Sequence, residues 1–233
     1  MLNKSTYREL KTKVTINECD EKMLEIPNTF ARFLPHPYQK LGAPYGEQSP
    51  FFLRSGVIEF LYLAQKRLET LQRGYRLKIF DAYRPLSVQK FMIEYDTKRV
   101  AHEKFGTTLG TLLEVQKEEV RNLVLHFWSP IAKDVELNPP PHATGGALDL
   151  SIVDANGVAL DMGTAIDALK DASESSYYDG SGTLYEKNRA LLVEVMEHAG
   201  FTQLPTEWWH FSYGDQIWAV DNGNVNAIYG IVN

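Results

Sequence analysis

The sequence predicts an α+β fold, an antiparallel central sheet flanked by helices. Stretches with helical period and stretches with strand alternation both occur, in no strict strand–helix–strand order. No internal repeat, low-complexity tract or long linker divides the 233 residues, so residues 1–233 read as one domain. At 44% hydrophobic and 23% charged residues, the chain has enough apolar surface to bury a core and too little charge for a disordered segment.

The elements follow in order. Residues 1–50 carry Pro35, Pro37, Gly42, Pro44, Gly46 and Pro50 among the aromatics Phe30, Phe33, Tyr38 and Tyr45. They read as an ordered wrapping segment with short strands at most. From Gly56 to Leu71, Val57, Ile58, Phe60, Leu61, Leu63, Ala64, Leu68 and Leu71 recur at three- and four-residue spacing with Glu59, Gln65, Lys66 and Glu69 between, an amphipathic helix. Gly74 ends it, and Tyr75 to Asp81 alternates as a half-buried strand that stops at Arg84-Pro85. A second helix starts around Ser87, and a third covers about Leu109 to Phe127 before Ser129-Pro130. The Asn138–Pro141 run is stiff and extended and delivers the chain to His142. Gly145-Gly146 permits a turn, and Ala147 to Val153 is a strand closed by the turn Asp154-Ala155-Asn156-Gly157. Tyr185 to His198 is a further helix before Gly200, and Glu207–Tyr213 and Ala227–Val232 are candidate strands.

Charge and cysteine content narrow the function classes. The formal net charge is −6, with neither sign gathered into a block, which disfavours nucleic-acid and anionic-membrane partners. The single cysteine, Cys19, leaves no disulfide framework and no cysteine-built zinc site, so a metal would need histidine and carboxylate ligands. The N-terminus lacks the apolar run of roughly 7–15 residues of a signal peptide, and no stretch approaches the roughly 20 apolar residues of a membrane span. A cytoplasmic location is the expectation.

Of six histidines, His36, His102, His126 and His198 sit where packing or surface exposure explains them. His142 and His210 differ, because each shares a short segment of apolar or small residues with a carboxylate, Asp149 and Glu207. Burying an unpaired charge there would cost several kcal/mol. Alternation puts Asp149 on the strand face of Ala147 and Ser151, opposite Leu148, Leu150 and Ile152, beside small side chains that leave room for a ligand. His142 and Asp149 can meet at one ion only if the chain turns at Gly145-Gly146. Glu207 and His210 can share a face only with a bend after Pro205-Thr206. Two histidines and one carboxylate with an open fourth position form a catalytic zinc arrangement, and a spare carboxylate beside a ligand histidine is the general base a zinc hydrolase needs. On spacing alone, Asp149 as a hydrogen-bonded strand residue and Glu207 as a strand terminus stay open.

The motif His142-x6-Asp149 with Gly145 and Ala147 inside it, followed by Glu207-Trp208-Trp209-His210, resembles the zinc D-alanyl-D-alanine dipeptidases of the VanX type, within a wider group of D-Ala metallopeptidases. Phe80-Asp81-Ala82-Tyr83-Arg84-Pro85, Met162–Asp167 and Asn188–Leu192 extend the likeness in matching order from about Gly56 to Tyr213. The resemblance implies a D-Ala metallopeptidase or hedgehog-like sheet holding one zinc ion on His142, Asp149 and His210, with Glu207 as catalytic base. It implies that Arg84 stabilises the tetrahedral intermediate and that Asp167 receives the substrate's free ammonium, the feature separating a dipeptidase from a carboxypeptidase. The partner it implies is a small D-Ala-D-Ala-like dipeptide, and self-association is left open.

Two departures stand out. Pro140 occupies the position where the family commonly has Ser, and the stretch between Arg84 and His142 is longer than in the prototype. Residues from about 97 to 140 read as a helical insertion that either covers the cleft or mediates self-association. The rival readings are a peptidoglycan D,D- or L,D-carboxypeptidase with the same zinc site, which would call for export, and a non-catalytic zinc-stabilised binding module, against which the retention of Glu207 and Arg84 weighs.

Overall fold

The computed structural model describes residues 9–232, so the first eight residues of the wrapping segment lie outside the described residues. Among the described residues, nine short strands form three sheets: β1 (Thr15–Ile16), β2 (Met23–Glu25), β3 (Ala31–Arg32), β4 (Phe52–Arg54), β5 (Arg76–Asp81), β6 (Ala147–Val153), β7 (Thr202–Gln203), β8 (His210–Ser212) and β9 (Asn226–Ala227). The central five-stranded sheet has the order β3-β5-β6-β8-β7. The expected antiparallel sheet with helices around it is present. All its pairs are antiparallel except β3 with β5, where the wrapping segment adds a parallel edge strand.

The 17-residue helix Ser55–Leu71 buries Val57, Ile58, Leu61, Ala64 and Leu68 of the stripe its spacing predicts, while Phe60 is half-buried and Leu63 and Leu71 are exposed because they fall to the edges of that face. Each of the larger buried ones contributes roughly 1.5–3 kcal/mol on burial. With Leu192, Val195 and Met196 of the Leu184–His198 helix, this stripe packs on Leu148, Leu150 and Ile152 of β6. A second apolar cluster joins the Leu86–Phe105 and Glu114–Phe127 helices through Val88, Met92, Val120 and Val124, with Tyr38, Tyr45 and Phe80 against them.

Several boundaries differ from the sequence expectation. The helix expected from Leu109 starts at Glu114, preceded by a separate 3-10 turn, Leu109–Thr111. Ala227–Val232 does not form a strand of that length. Only Asn226–Ala227 pairs, with β1, because the hydrogen bonds from Ile228 and Tyr229 go to the carbonyl of Gly214. Glu207–Tyr213 is a strand only from His210 to Ser212, since Glu207 N–H bonds back to Leu204 and Trp208 N–H to Ser173. The Pro-rich run ends in a 3-10 turn, Pro141–Thr144, so His142 sits inside a turn rather than at the tip of an extended segment.

Candidate metal centre and active-site cleft

The sheet itself brings the two motifs together. Asp149 on β6 is paired with His210 on β8 on one side and with Asp81 on β5 on the other. The β5 register slips by one residue between Ile79 and Asp81, a bulge that re-aims the chain leading to Arg84. Gly145 closes the 3-10 turn at φ +72°, where a Cβ would lie 2.4 Å from the Met23 sulfur, so the turn that returns His142 to Asp149 requires glycine there. The 205–209 segment bends as Pro205-Thr206 suggested. Glu207 Oε2 therefore lies 4.0 Å from His210 Nδ1.

His142 Nε2, His210 Nδ1 and Asp149 Oδ1 face one another at 3.1, 3.0 and 3.3 Å. Their remaining ring atoms fix the protons. His142 Nδ1 lies 2.7 Å from the Ala82 carbonyl, which only accepts, so Nδ1 carries the hydrogen and Nε2 presents a lone pair. Ser212 gives its hydroxyl hydrogen to Asp215, so its oxygen accepts from His210 Nε2 at 3.3 Å, and His210 Nδ1 likewise presents a lone pair. Two imidazole lone pairs and a carboxylate oxygen thus converge with no proton among them. Such a trio repels itself unless a cation occupies the centre. Its spacing matches the edge of about 3.3 Å of a tetrahedron with zinc–ligand bonds near 2.0 Å, so the residues present fit zinc. With no cation at the centre, a proton on the imidazoles takes its place, and against the upward push of burial the protonated His142 and His210 then hold the Asp149 carboxyl well below the usual carboxylate range.

Arg84 is buried and tightly held. Its Nε donates to Asp81 at 2.8 Å, Nη1 to Gln89 at 3.2 Å, and Nη2 to Asp149 Oδ2 at 3.1 Å and to the Tyr38 hydroxyl at 3.3 Å. Asp149 therefore divides its oxygens, Oδ1 toward the histidines and Oδ2 toward the guanidinium. Asp167 sits on a loop with φ +62°, and its carboxylate accepts from the Tyr38 hydroxyl at 2.7 Å. Burial, reinforced by the charge on Asp149, pushes Asp167 up to about 8. All six residues singled out from the sequence, Arg84, His142, Asp149, Asp167, Glu207 and His210, line one cleft of ≈ 50 Å³, or ≈ 450 Å³ with its open mouth.

The Peptidase M15 family model, D-Ala-D-Ala dipeptidase, matches residues 32–228. The chain belongs to that family. A D-alanyl-D-alanine dipeptidase of Synechocystis is 37% identical over 217 residues, 88% of this chain and 87% of its own. One from Enterococcus faecalis is 24% identical over 67% of this chain and 71% of its own. Among solved structures, a mutant of the vancomycin-resistance D,D-pentapeptidase VanY in complex with Zn(II) aligns over 92% of this chain and 96% of its own, at 11% identity and a TM-score of 0.47. Membership of the D-Ala-D-Ala dipeptidase family supports a peptidase function.

Other cleft-forming residues were not singled out from the sequence as parts of the site. Tyr38 joins Arg84 to Asp167, Gln89 joins Arg84 to the Ser129 carbonyl, and Trp128 stacks 4.8 Å from the Arg84 guanidinium. Tyr38 lay among other aromatics of the wrapping segment, and nothing in its surroundings marks it. Asp81, inside the Phe80–Pro85 motif, is fully buried and accepts from Tyr45 and Arg84, with His36 Nε2 3.3 Å away. His36 is a packing residue, as expected, ringed edge-on by Tyr38, Tyr45 and Phe51. The stretch between Arg84 and His142 reaches the cleft, since Phe127, Trp128 and Ser129 line it. Among the described residues, no helix is long and apolar enough to cross a membrane.

Proposed function

We propose that the protein is a zinc-dependent dipeptidase that hydrolyses free D-Ala-D-Ala, or a closely similar D-dipeptide, to amino acids. The convergence of His142, Asp149 and His210 lone pairs beside Glu207 carries this reading. When bound, zinc would lower the pKa of a water and polarise the substrate carbonyl. Glu207, 4.0 Å from His210, is placed to take the proton of the attacking water and pass it to the departing amine nitrogen as the C–N bond breaks. Arg84 remains a permanent cation in a buried site, where an oriented donor facing a developing oxyanion is worth far more than in water. Asp167, pushed up to about 8 in the empty cleft, would give up its proton as the substrate's ammonium arrives and so supply its counter-charge, which favours a free dipeptide over the end of a longer peptide. The partner is thus a small zwitterion, and a cytoplasmic location would suit it.

Purified protein assayed with D-Ala-D-Ala, L-Ala-L-Ala and N-acetyl-D-Ala-D-Ala, with and without chelator, tests this directly. Chelator-sensitive cleavage of D-Ala-D-Ala alone is the expected result. Turnover that survives the chelator would overturn the zinc assignment, and equal cleavage of the acetylated substrate would overturn the dipeptidase assignment.

A further inference from the structure

We propose that Trp128, latched by Asp96 and flanked by Ser129, is the residue that limits substrate length: a fixed wall behind the ammonium position that admits a free dipeptide and excludes an acyl group on its nitrogen. The inference rests on the dipeptidase reading and adds to it the element that enforces chain length.

The geometry is that of a braced side chain. The Trp128 ring lies 4.8 Å from the Arg84 guanidinium and 6.0 Å from the Tyr38 ring, whose hydroxyl bonds to Asp167 at 2.7 Å. Trp128 and Asp167, the group that would receive the substrate's ammonium, line the same cleft, with Tyr38 linking the two. The Trp128 indole Nε1–H donates to Asp96 Oδ2 at 2.7 Å, and Asp96 is anchored in turn by Arg99 at 2.8 Å. One helical face supplies both latches, since Gln89 and Asp96 are two turns apart on the Leu86–Phe105 helix, and Gln89 Nε2 donates to the Ser129 carbonyl at 2.7 Å. The far end of the segment is tied across as well: His126 lies 3.7 Å from Glu174, in the loop whose Ser173 carbonyl accepts from Trp208 N–H next to Glu207. A buried indole with its only donor satisfied by a carboxylate loses that hydrogen bond if it rotates away, so the wall does not yield cheaply. Discrimination by an obstacle against the longer ligand, rather than by added attraction for the shorter, is the expected result.

Binding separates this inference from the catalytic one. Zinc-loaded Glu207→Ala protein is titrated calorimetrically with D-Ala-D-Ala and with N-acetyl-D-Ala-D-Ala. Because the Asp96 charge also acts on Asp167, Asp96→Asn, which removes the charge but still offers an oxygen to the indole, is the electrostatic control, and a change in the ratio of the two dissociation constants beyond that of Asp96→Asn reads the wall. Adding Trp128→Ala should narrow that ratio about tenfold, and adding Asp96→Ala, which keeps the ring but frees it, should narrow it by about threefold. If Trp128→Ala fails to fold, as judged by circular dichroism, Asp96→Ala decides. An unchanged ratio in folded variants, with wild-type protein still cleaving D-Ala-D-Ala, overturns the wall and leaves the dipeptidase standing. A narrowed ratio with no wild-type cleavage overturns the dipeptidase reading and leaves the wall. Failure of the parent protein to bind either ligand overturns both.

Discussion

Asp149 and His210 are placed by main-chain pairing across β6 and β8, and His142 by a turn that leads directly into β6, whereas Arg84, Asp167 and Trp128 are held largely by one another's side chains and by Tyr38, Gln89 and Asp96. Main-chain pairing fixes a ligand set as rigidly as the sheet itself, and mutation of one ligand leaves its neighbours where they were. A side-chain network transmits every loss, because each partner removed leaves a buried polar group unsatisfied. The metal set should therefore fail one residue at a time, and the substrate-binding side should fail together.

The largest effects probe the metal set. His210→Ala should lose both the metal, measured by elemental analysis, and all detectable turnover. Glu207→Ala should keep the metal and lose about 10²–10⁴-fold in kcat. Equal metal loss in the two would merge roles that the geometry keeps apart. Arg84→Ala comes next, with a fall of about 10²–10³-fold in kcat/KM. Because its Nη2 also holds Asp149 Oδ2, some loss of metal affinity should accompany it, visible in chelator competition. Ser212→Ala removes the acceptor that orients His210 together with the donor to Asp215, and should weaken metal binding about 10–100-fold while circular dichroism stays that of the wild type.

The smallest effect concerns pH. Asp167 titrates near 8 in the folded chain and near 4 once unfolded, so between those values the folded state holds a proton the unfolded state has lost. Its contribution to stability is present below about pH 4, declines as pH rises toward 8 and changes no further above it. Metal-free wild type should lose stability relative to Asp167→Asn by on the order of 1 kcal/mol per pH unit in that window, measured by denaturant unfolding. Parallel pH profiles would show that Asp167 is ionised in the empty cleft. The same variant should raise KM for D-Ala-D-Ala more than it lowers kcat.

How much was legible in advance depended on whether local spacing carried the contact. The helix at Ser55–Leu71 and the strand at Ala147–Val153 follow from periodicity, because one face of each must be buried whatever it packs against. His142, Asp149, Glu207 and His210 were readable as candidates because two glycines and a Pro-Thr pair permit the turns their meeting requires, and the motif resemblance chose that reading over the open alternatives. Tyr38 was not readable. It lies 129 residues from Asp167 and 46 from Arg84, and no pattern within its own segment distinguishes it from Tyr45. The strand expected at Ala227–Val232 failed for the related reason that its backbone donors found Gly214, a partner fixed only by the tertiary fold.

The sequence by itself narrowed the chemistry of the centre. With one cysteine, a zinc site would have to use histidine and carboxylate ligands, and although spacing left Asp149 and Glu207 open, the resemblance to the D-Ala metallopeptidases singled out the set. The tertiary structure alone decided what surrounds that centre: which oxygen of Asp149 faces the histidines, which proton each imidazole carries, and which wall closes behind Asp167. Ligand identity is a property of residue type and local turn. Orientation, tautomer and cleft size depend on hydrogen bonds between segments far apart in the chain, which periodicity cannot encode.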